Sequence, residues 1–265
     1  MKKFILLPAS LILFSFGGFS QVVKQVSNSQ VVSSGKQKPG IATAWSAKSE
    51  AANAHARTAL HHMLNIELPQ AYAEFSEALK IDPGFTMAQA FMSNLSYGAQ
   101  KKKFADAALK SSEQKTEGEK LFVKLLDEEN RPGEHAAIWS KLFAMYPNER
   151  MVNSYYVYTR ETPEERFEAA REMLKKYPDA GWMYNILGYY YMNDKKDMEN
   201  AKASFDKYIA YYPDGYNPYD SMGEFYLVTG DTANAEKYYS MALEKYPFSN
   251  SAREALDGIN ARKKK

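Results

Sequence analysis

Residues 216–249 read YNPYDSMGEFYLVTGDTANAEKYYSMALEKYPFS, and this stretch decides the fold. Its second half places Ala235, Tyr239, Ala242 and Tyr246 at three- and four-residue spacing, which is one stripe of a helix. Pro247 ends the stripe, because proline cannot continue a helix and pushes the residue before it toward extended backbone. The same ending recurs upstream as KIDPGF at Pro83, AMYPNE at Pro147, KKYPDA at Pro178 and AYYPDG at Pro213. The last three intervals between prolines are 31, 35 and 34 residues. Helix, stop, helix at a period near 34 is an array of helical hairpins.

The residue types explain why such hairpins pack. Two antiparallel helices approach closely only where a side chain is small, which Gly188, Gly223, Ala235 and Ala242 allow, and Tyr and Phe fill the space between. One hairpin cannot bury both of its faces, so each must stack on the next, and the last helix needs a polar outer side. Residues 250–262, NSAREALDGINAR, fit such a cap, with Ala252, Ala255, Leu256 and Ile259 inward and Ser249 or Asn250 as N-cap.

With these residues in place, the sequence resembles the tetratricopeptide repeat family, whose 34-residue unit carries small residues at fixed helix crossings and a proline near its end. In residues 216–249 the matching residues are Tyr219, Met222, Gly223, Tyr226, Ala235, Tyr239, Ala242 and Pro247. Residues 181–215 match through Tyr184, Leu187, Gly188, Tyr191, Ala201, Phe205 and Pro213, with one extra residue in the turn and Tyr208 where a small residue is expected. Ala71, Phe75, Ala78 and Pro83 repeat the second-helix half, and 86–114, 115–149 and 150–180 read as degenerate copies. The resemblance implies an all-α fold, a right-handed α-solenoid of stacked helical hairpins. About six repeats (51–85, 86–114, 115–149, 150–180, 181–215 and 216–249) and a capping helix with a basic end over 250–265 are expected.

Outside the array the chain changes character. Lys2 and Lys3 precede an apolar run, Phe4 to Phe16, followed by Gly17, Gly18, Phe19 and Ser20, which is the layout of a secretory signal over 1–20 with Gln21 as the mature start. The run is too short to span a bilayer. Residues 21–47 are rich in Ser, Gln, Val and Lys, lack helical periodicity and contain Pro39 and Gly40, so a flexible leader is expected. The protein is therefore expected to be exported, periplasmic or secreted, and soluble.

Composition closes several function classes. The chain has 265 residues and no cysteine, which removes disulfide scaffolds, thiolate metal sites, cysteine nucleophiles and a cysteine-linked lipid. Residues 49–261 hold 24 basic and 32 acidic residues, a net −8, and an acidic body disfavours nucleic acid. No phosphate loop, nucleophile elbow or paired-histidine metalloprotease motif occurs, so neither enzyme activity nor a cofactor is expected. His55 and His62 lie seven apart on one helical face, but a third ligand is lacking, because Glu67 falls beyond the helix end near Pro69; hydrogen-bonded or solvated histidines account for them better. Asp127, Glu128 and Glu129 read as a solvated helix end.

Seventeen of the twenty tyrosines lie between Tyr155 and Tyr246, and Tyr184, Tyr191, Tyr219, Tyr226 and Tyr239 fall at core positions. In the family resembled, the inward positions of each first helix line a concave groove. Carried onto this sequence, they are Trp182, Asn185, Tyr189, Met192 and Asn193, then Asn217, Asp220, Glu224, Leu227 and Val228. The weaker repeat before them contributes Met151, Ser154 and Tyr158. The polar and aromatic members, Tyr158, Trp182, Asn185, Tyr189, Asn193, Asn217, Asp220 and Glu224, form the expected site for an extended peptide or protein partner. A glycan or small molecule in the aromatic groove, and a non-catalytic subunit of an envelope enzyme complex, remain open alternatives. Clamping of an acidic chaperone tail is rejected, since Asp220 and Glu224 would repel its carboxylates.

Overall fold

The structure, a computed structural model, describes residues 47–127 and 132–263. The expected signal at 1–20, the leader up to residue 46 and the Glu128–Glu129 pair lie outside the described residues. Among the described residues the chain is all-α and contains no strand. Its helices are α1 (Glu50–Leu64), α2 (Leu68–Ile81), α3 (Thr86–Asn94), α4 (Gly98–Ser112), α5 (Glu117–Val123), α6 (Pro132–Met145) and α7 (Arg150–Tyr158). They continue as α8 (Pro163–Lys176), α9 (Gly181–Tyr190), α10 (Met198–Tyr211), α11 (Asn217–Val228), α12 (Thr232–Lys245) and α13 (Asn250–Lys263). None of these helices is long and apolar enough to cross a membrane.

The chain divides into two compact units between Arg160 and Glu161. That boundary runs through the segment read as the fourth repeat: α7 packs on α6 in the first unit, whereas α8 packs on α9 in the second. In the first unit α1 pairs with α2, α2 meets α3, α3 pairs with α4, and α5 rests on both α3 and α4. Buried alanines line these helices, among them Ala52, Ala56, Ala59, Ala71, Ala78 and Ala108, and a row of aromatic rings fills the core between them. Phe75 stacks on Phe91 (5.2 Å between centroids), Phe91 meets Phe122 (5.5 Å), Phe122 lies edge-on to Trp139 (5.8 Å), and Trp139 stacks on Tyr155 (4.5 Å). All five are buried. Offset and edge-to-face pairs of this kind add to the large apolar area each ring removes from water.

The second unit follows the small-residue logic. A Cβ built on Gly188 would lie 2.5 Å from the Phe205 ring, and one on Gly223 would lie 2.9 Å from the Tyr239 ring. Each glycine therefore sets the approach of the two helices of its hairpin. Two buried clusters result, one around Met192, Ala201, Phe205, Met222 and Phe225, the other around Tyr219, Ala235, Tyr239, Ala242, Ala252 and Ile259. Ile209, Tyr226 and Tyr238 pack against both, which joins them into the continuous strip that stacked hairpins need. The capping helix presents Ala252 and Ile259 to that strip with Ala255 and Leu256 beside them, and the Ser249 hydroxyl caps it by accepting from the Ala252 N–H.

Local chemistry fixes the turns. Each helix-stop proline leaves a carbonyl that the interrupted helix cannot pair. In four repeats a side chain six residues later donates to it: Gln89 to Pro83 (2.6 Å), Asn153 to Pro147 (3.0 Å), Tyr184 to Pro178 (3.4 Å) and Tyr219 to Pro213 (2.9 Å). Asp197 and Asp231, 34 residues apart, cap α10 and α12 by accepting from the N–H groups of Asn200 and Asn234, both at 3.0 Å. The extra residue between Pro178 and Pro213 is taken up by a π turn at Tyr191–Lys195, followed by Lys196 in the left-handed region at φ 57°. The next repeat makes the equivalent turn with Gly230 at φ 84°, where glycine carries no steric penalty.

Tyr208, in place of a small residue, is fully buried. Gly181 lies beside it, where a Cβ would come within 3.1 Å of Tyr211 Cβ and into ordinary contact, at 3.4 Å, with the Tyr208 ring. Among the tyrosines expected at core positions, Tyr219 and Tyr239 are buried, while Tyr184, Tyr191 and Tyr226 are only half-buried.

Candidate functional site

The first helices α9 and α11 and the cap α13 belong to the second unit, and their side chains meet along one face. Asn185 and Tyr189 are one turn apart on α9, as Asp220 and Glu224 are on α11, so each pair shares a helical face. The Tyr189 hydroxyl donates to Glu224 Oε2 at 2.7 Å and lies 3.5 Å from the Ser221 hydroxyl. Ser251 Oγ of α13 donates to Asp220 Oδ1 at 2.7 Å. Three alternate helices, α9, α11 and α13, are thus tied by hydroxyl-to-carboxylate bonds. The Asn185 side-chain oxygen is shut off from solvent and accepts no hydrogen bond among the described residues.

The electrostatics of this face are one-sided. Among the described residues no Lys, Arg or His side chain pairs with Asp220 or Glu224. Burial raises the Asp220 carboxyl to about 6; the neighbouring Glu224 charge adds to the rise and the Ser251 hydrogen bond opposes it. Burial, and then the Glu224 carboxylate, push the Tyr189 phenol well above its ordinary value. The Tyr239 phenol below them is raised by burial and by both carboxylates.

The other residues expected in the groove fall elsewhere. Trp182 is 3% exposed, so its indole is not offered to a ligand; a ring of that size near the start of α9 gains more from burial than from facing solvent. Asn217 is also buried and donates from Nδ2 to the Tyr208 hydroxyl at 3.0 Å. That role follows from Tyr208, because a buried phenol needs a partner. Met192, Met151 and Ser154 are buried, Leu227 is half-buried and Val228 is exposed. Asn193 is half-buried within the π turn. Tyr158 is half-buried in the first unit, edge-on to Tyr155 at 6.3 Å, and burial raises its phenol. The face therefore brings together Asn185, Tyr189, Asp220 and Glu224, and adds Ser221 and Ser251, which the repeat register did not single out.

The histidines are engaged in the first unit. His55 hydrogen-bonds Glu74 at 2.7 Å and His62 bonds Glu67 at 2.5 Å. Glu67 does lie beyond the end of α1 at Leu64, as the N-cap residue of α2, and it still reaches His62 because the chain reverses through Ile66 in the left-handed region at φ 64°. No group of three or more His, Asp or Glu among the described residues has the arrangement of a metal site.

The sequence profile of the tetratricopeptide repeat matches residues 186–215 and 221–249. No protein of curated function matches the chain. Solved structures similar to it include PilW, a widely conserved type IV pilus biogenesis factor, at 18% identity over 78% of this chain and 99% of that one, with a TM-score of 0.47. Another is a thermophilic TPR protein of Thermus thermophilus, at 16% identity over 80% of this chain and 100% of that one, with a TM-score of 0.37. Residues 186–215 and 221–249 thus carry two tetratricopeptide repeats.

Proposed function

We propose that this protein is an exported, non-enzymatic scaffold that binds an extended segment of a partner protein along the α9–α11–α13 face, and that it selects segments bearing basic side chains. The observation that carries this reading is the Tyr189–Glu224 and Ser251–Asp220 ladder, whose two carboxylates have no basic partner among the described residues. A Lys or Arg side chain of a ligand supplies the missing charge and forms charge-assisted hydrogen bonds there. Tyr189 offers a rigid ring beside the acids, the kind of anchor that dominates peptide interfaces. Export rests on the order of charged, apolar and small residues in 1–20.

The test is to probe the full chain with two arrays, one of peptides matched in length and varied in net charge, the other of glycans. Enrichment of basic peptides, lost in Asp220→Lys, supports the reading. Binding confined to glycans replaces it with sugar capture.

A further inference from the structure

Asp220 and Glu224 stand one turn apart on α11, and each has one oxygen already engaged. Ser251 donates to Asp220 Oδ1 and Tyr189 donates to Glu224 Oε2, which holds both carboxylates in place, while Asp220 Oδ2 and Glu224 Oε1 accept no hydrogen bond among the described residues. Val228, 54% exposed, lies one further turn along the same helix. The helix therefore presents acid, acid and an apolar residue in line, at a step of about 6 Å along its axis.

An extended chain matches that step. Its alternate residues point the same way about 6.6 Å apart, so a strand lying along α11 meets this line with every second side chain. The fitting strand carries two basic residues separated by one other, followed by residues without charge. Residues 21–46 of this chain contain such a segment. In SGKQKPGI, residues 34–41, Lys36 and Lys38 take alternate positions and Pro39, Gly40 and Ile41 are uncharged. Pro39 pushes Lys38 toward extended backbone, the conformation the spacing requires. Residues 21–46 hold three lysines and no acid, so nothing in them is repelled by the face.

We propose that Lys36 and Lys38 of one copy dock on Asp220 and Glu224 of a second copy, so that the protein associates with itself until a basic partner segment takes the leader's place. The segment runs in the direction of α11, with Lys36 at Asp220, Lys38 at Glu224 and Pro39 to Ile41 toward Val228. Made reciprocally, two such contacts close a two-fold dimer, and the first makes the second intramolecular. Each ion pair sits at a half-buried carboxylate and is screened by salt, so the contact is weak enough for a partner to displace. This regulation rests on the peptide-binding reading of the same face.

Sedimentation velocity of the chain from Gln21 to Lys265 reads the association. At low salt the wild type is expected to pass from monomer to dimer as its concentration rises, and high salt should reverse this. Lys36→Glu/Lys38→Glu and Asp220→Lys/Glu224→Lys are each expected to weaken self-association about tenfold or more. Mixing these two variants is expected to restore a dimer, because every leader then meets a face of opposite charge. Lys24→Glu, which changes the leader's charge but not the paired lysines, should leave the association unchanged. The leader variant alters no residue of the helices, so it tests the proposal even if the face variant does not fold. Association that survives Lys36→Glu/Lys38→Glu, or that Lys24→Glu weakens equally, overturns the proposal. A labelled SGKQKPGI peptide, titrated onto the Lys36→Glu/Lys38→Glu chain by fluorescence anisotropy, separates this inference from the reading beneath it. Peptide binding that Asp220→Lys removes, beside a wild type that stays monomeric at every concentration, overturns self-docking and leaves the partner-binding face standing. Failure of this and every other basic peptide to bind overturns both.

Discussion

Asn217 donates to the Tyr208 hydroxyl at 3.0 Å across the turn that joins α10 to α11, and both residues are buried. Tyr208 replaces a small residue in the repeat, and Asn217 satisfies its hydroxyl. The two positions form one local solution. Tyr208→Phe leaves the Asn217 amide buried without that partner and is expected to cost about 1–3 kcal/mol. Asn217→Leu is expected to cost a similar amount. The double variant should lose less than the two single losses combined, with a coupling of about 1 kcal/mol measured by urea unfolding. Strict additivity would show that the bond does not hold the turn.

Gly223 and Glu224 are adjacent and have opposite surroundings. A side chain at Gly223 meets the Tyr239 ring, which is itself packed between Ala235 and Ala242 in the buried cluster. Gly223→Leu must push α11 from α12 and is expected to cost roughly 3 kcal/mol or more, since overpacking by a few methylenes alone costs 1–3. Glu224→Ala removes the acceptor of the half-buried Tyr189, whose hydroxyl keeps Ser221 at 3.5 Å, and should stay near 1 kcal/mol. Thermal melts of the two variants decide between them, and equal losses would mean that α11 has a different register.

The hairpin period was legible because each proline stop and each small residue acts locally, and the Gly188–Phe205 and Gly223–Tyr239 contacts are what that pattern requires. The face on α11 was legible for the same reason, as Asp220 and Glu224 follow from the helical period. The misplaced residues depended on long-range partners. Asn217 was hidden behind Tyr208, and Glu67 behind a left-handed isoleucine that no local preference favours. Trp182 reads as groove or core according to what lies over the start of α9, and periodicity carries no such information. The aromatic spine from Phe75 to Tyr155 runs between helices that lie far apart in sequence, so no spacing rule announced it.

Asp220 gives the second unit its own pH dependence. Its carboxyl stands at about 6 in the folded chain, above its ordinary value of 3.8, so the folded state binds the proton more tightly than the unfolded one. The stabilisation is fully present below 3.8 and is lost as pH rises through 6. Lowering the pH from 7.5 to 5 should therefore stabilise the second unit by about 1 kcal/mol through this group, or about 5 °C in melting temperature. The capping carboxylates Asp197 and Asp231 are lowered by their asparagine hydrogen bonds and act in the opposite sense on acidification. The difference between wild type and Asp220→Asn isolates the effect, because the amide oxygen still accepts from Ser251. A difference that does not change with pH would place Asp220 in solvent.

The charge of the α9–α11–α13 face should decide which partners it accepts. Asp220→Lys changes the local charge by two, and the introduced ammonium lies one turn from Glu224, where the two charges neutralise each other. A basic peptide then loses both of its carboxylate contacts, and its affinity is expected to fall at least tenfold, about 1.4 kcal/mol. Acidic peptides of the same length should gain, since the repulsion is gone. Tyr189→Phe separates charge from anchoring: it keeps the ring, frees Glu224 from its hydroxyl partner, and should preserve or strengthen binding of basic peptides. Trp182→Ala is unsuitable for this purpose, because emptying a buried indole site is expected to cost about 3–5 kcal/mol of stability. Fluorescence anisotropy titrations at low and at physiological salt read out both variants, with circular dichroism to verify folding. Salt should weaken the wild-type complex with basic peptides more than the Asp220→Lys complex. If a folded Asp220→Lys variant ranks basic and acidic peptides as the wild type does, the carboxylates on α11 are not what selects the ligand.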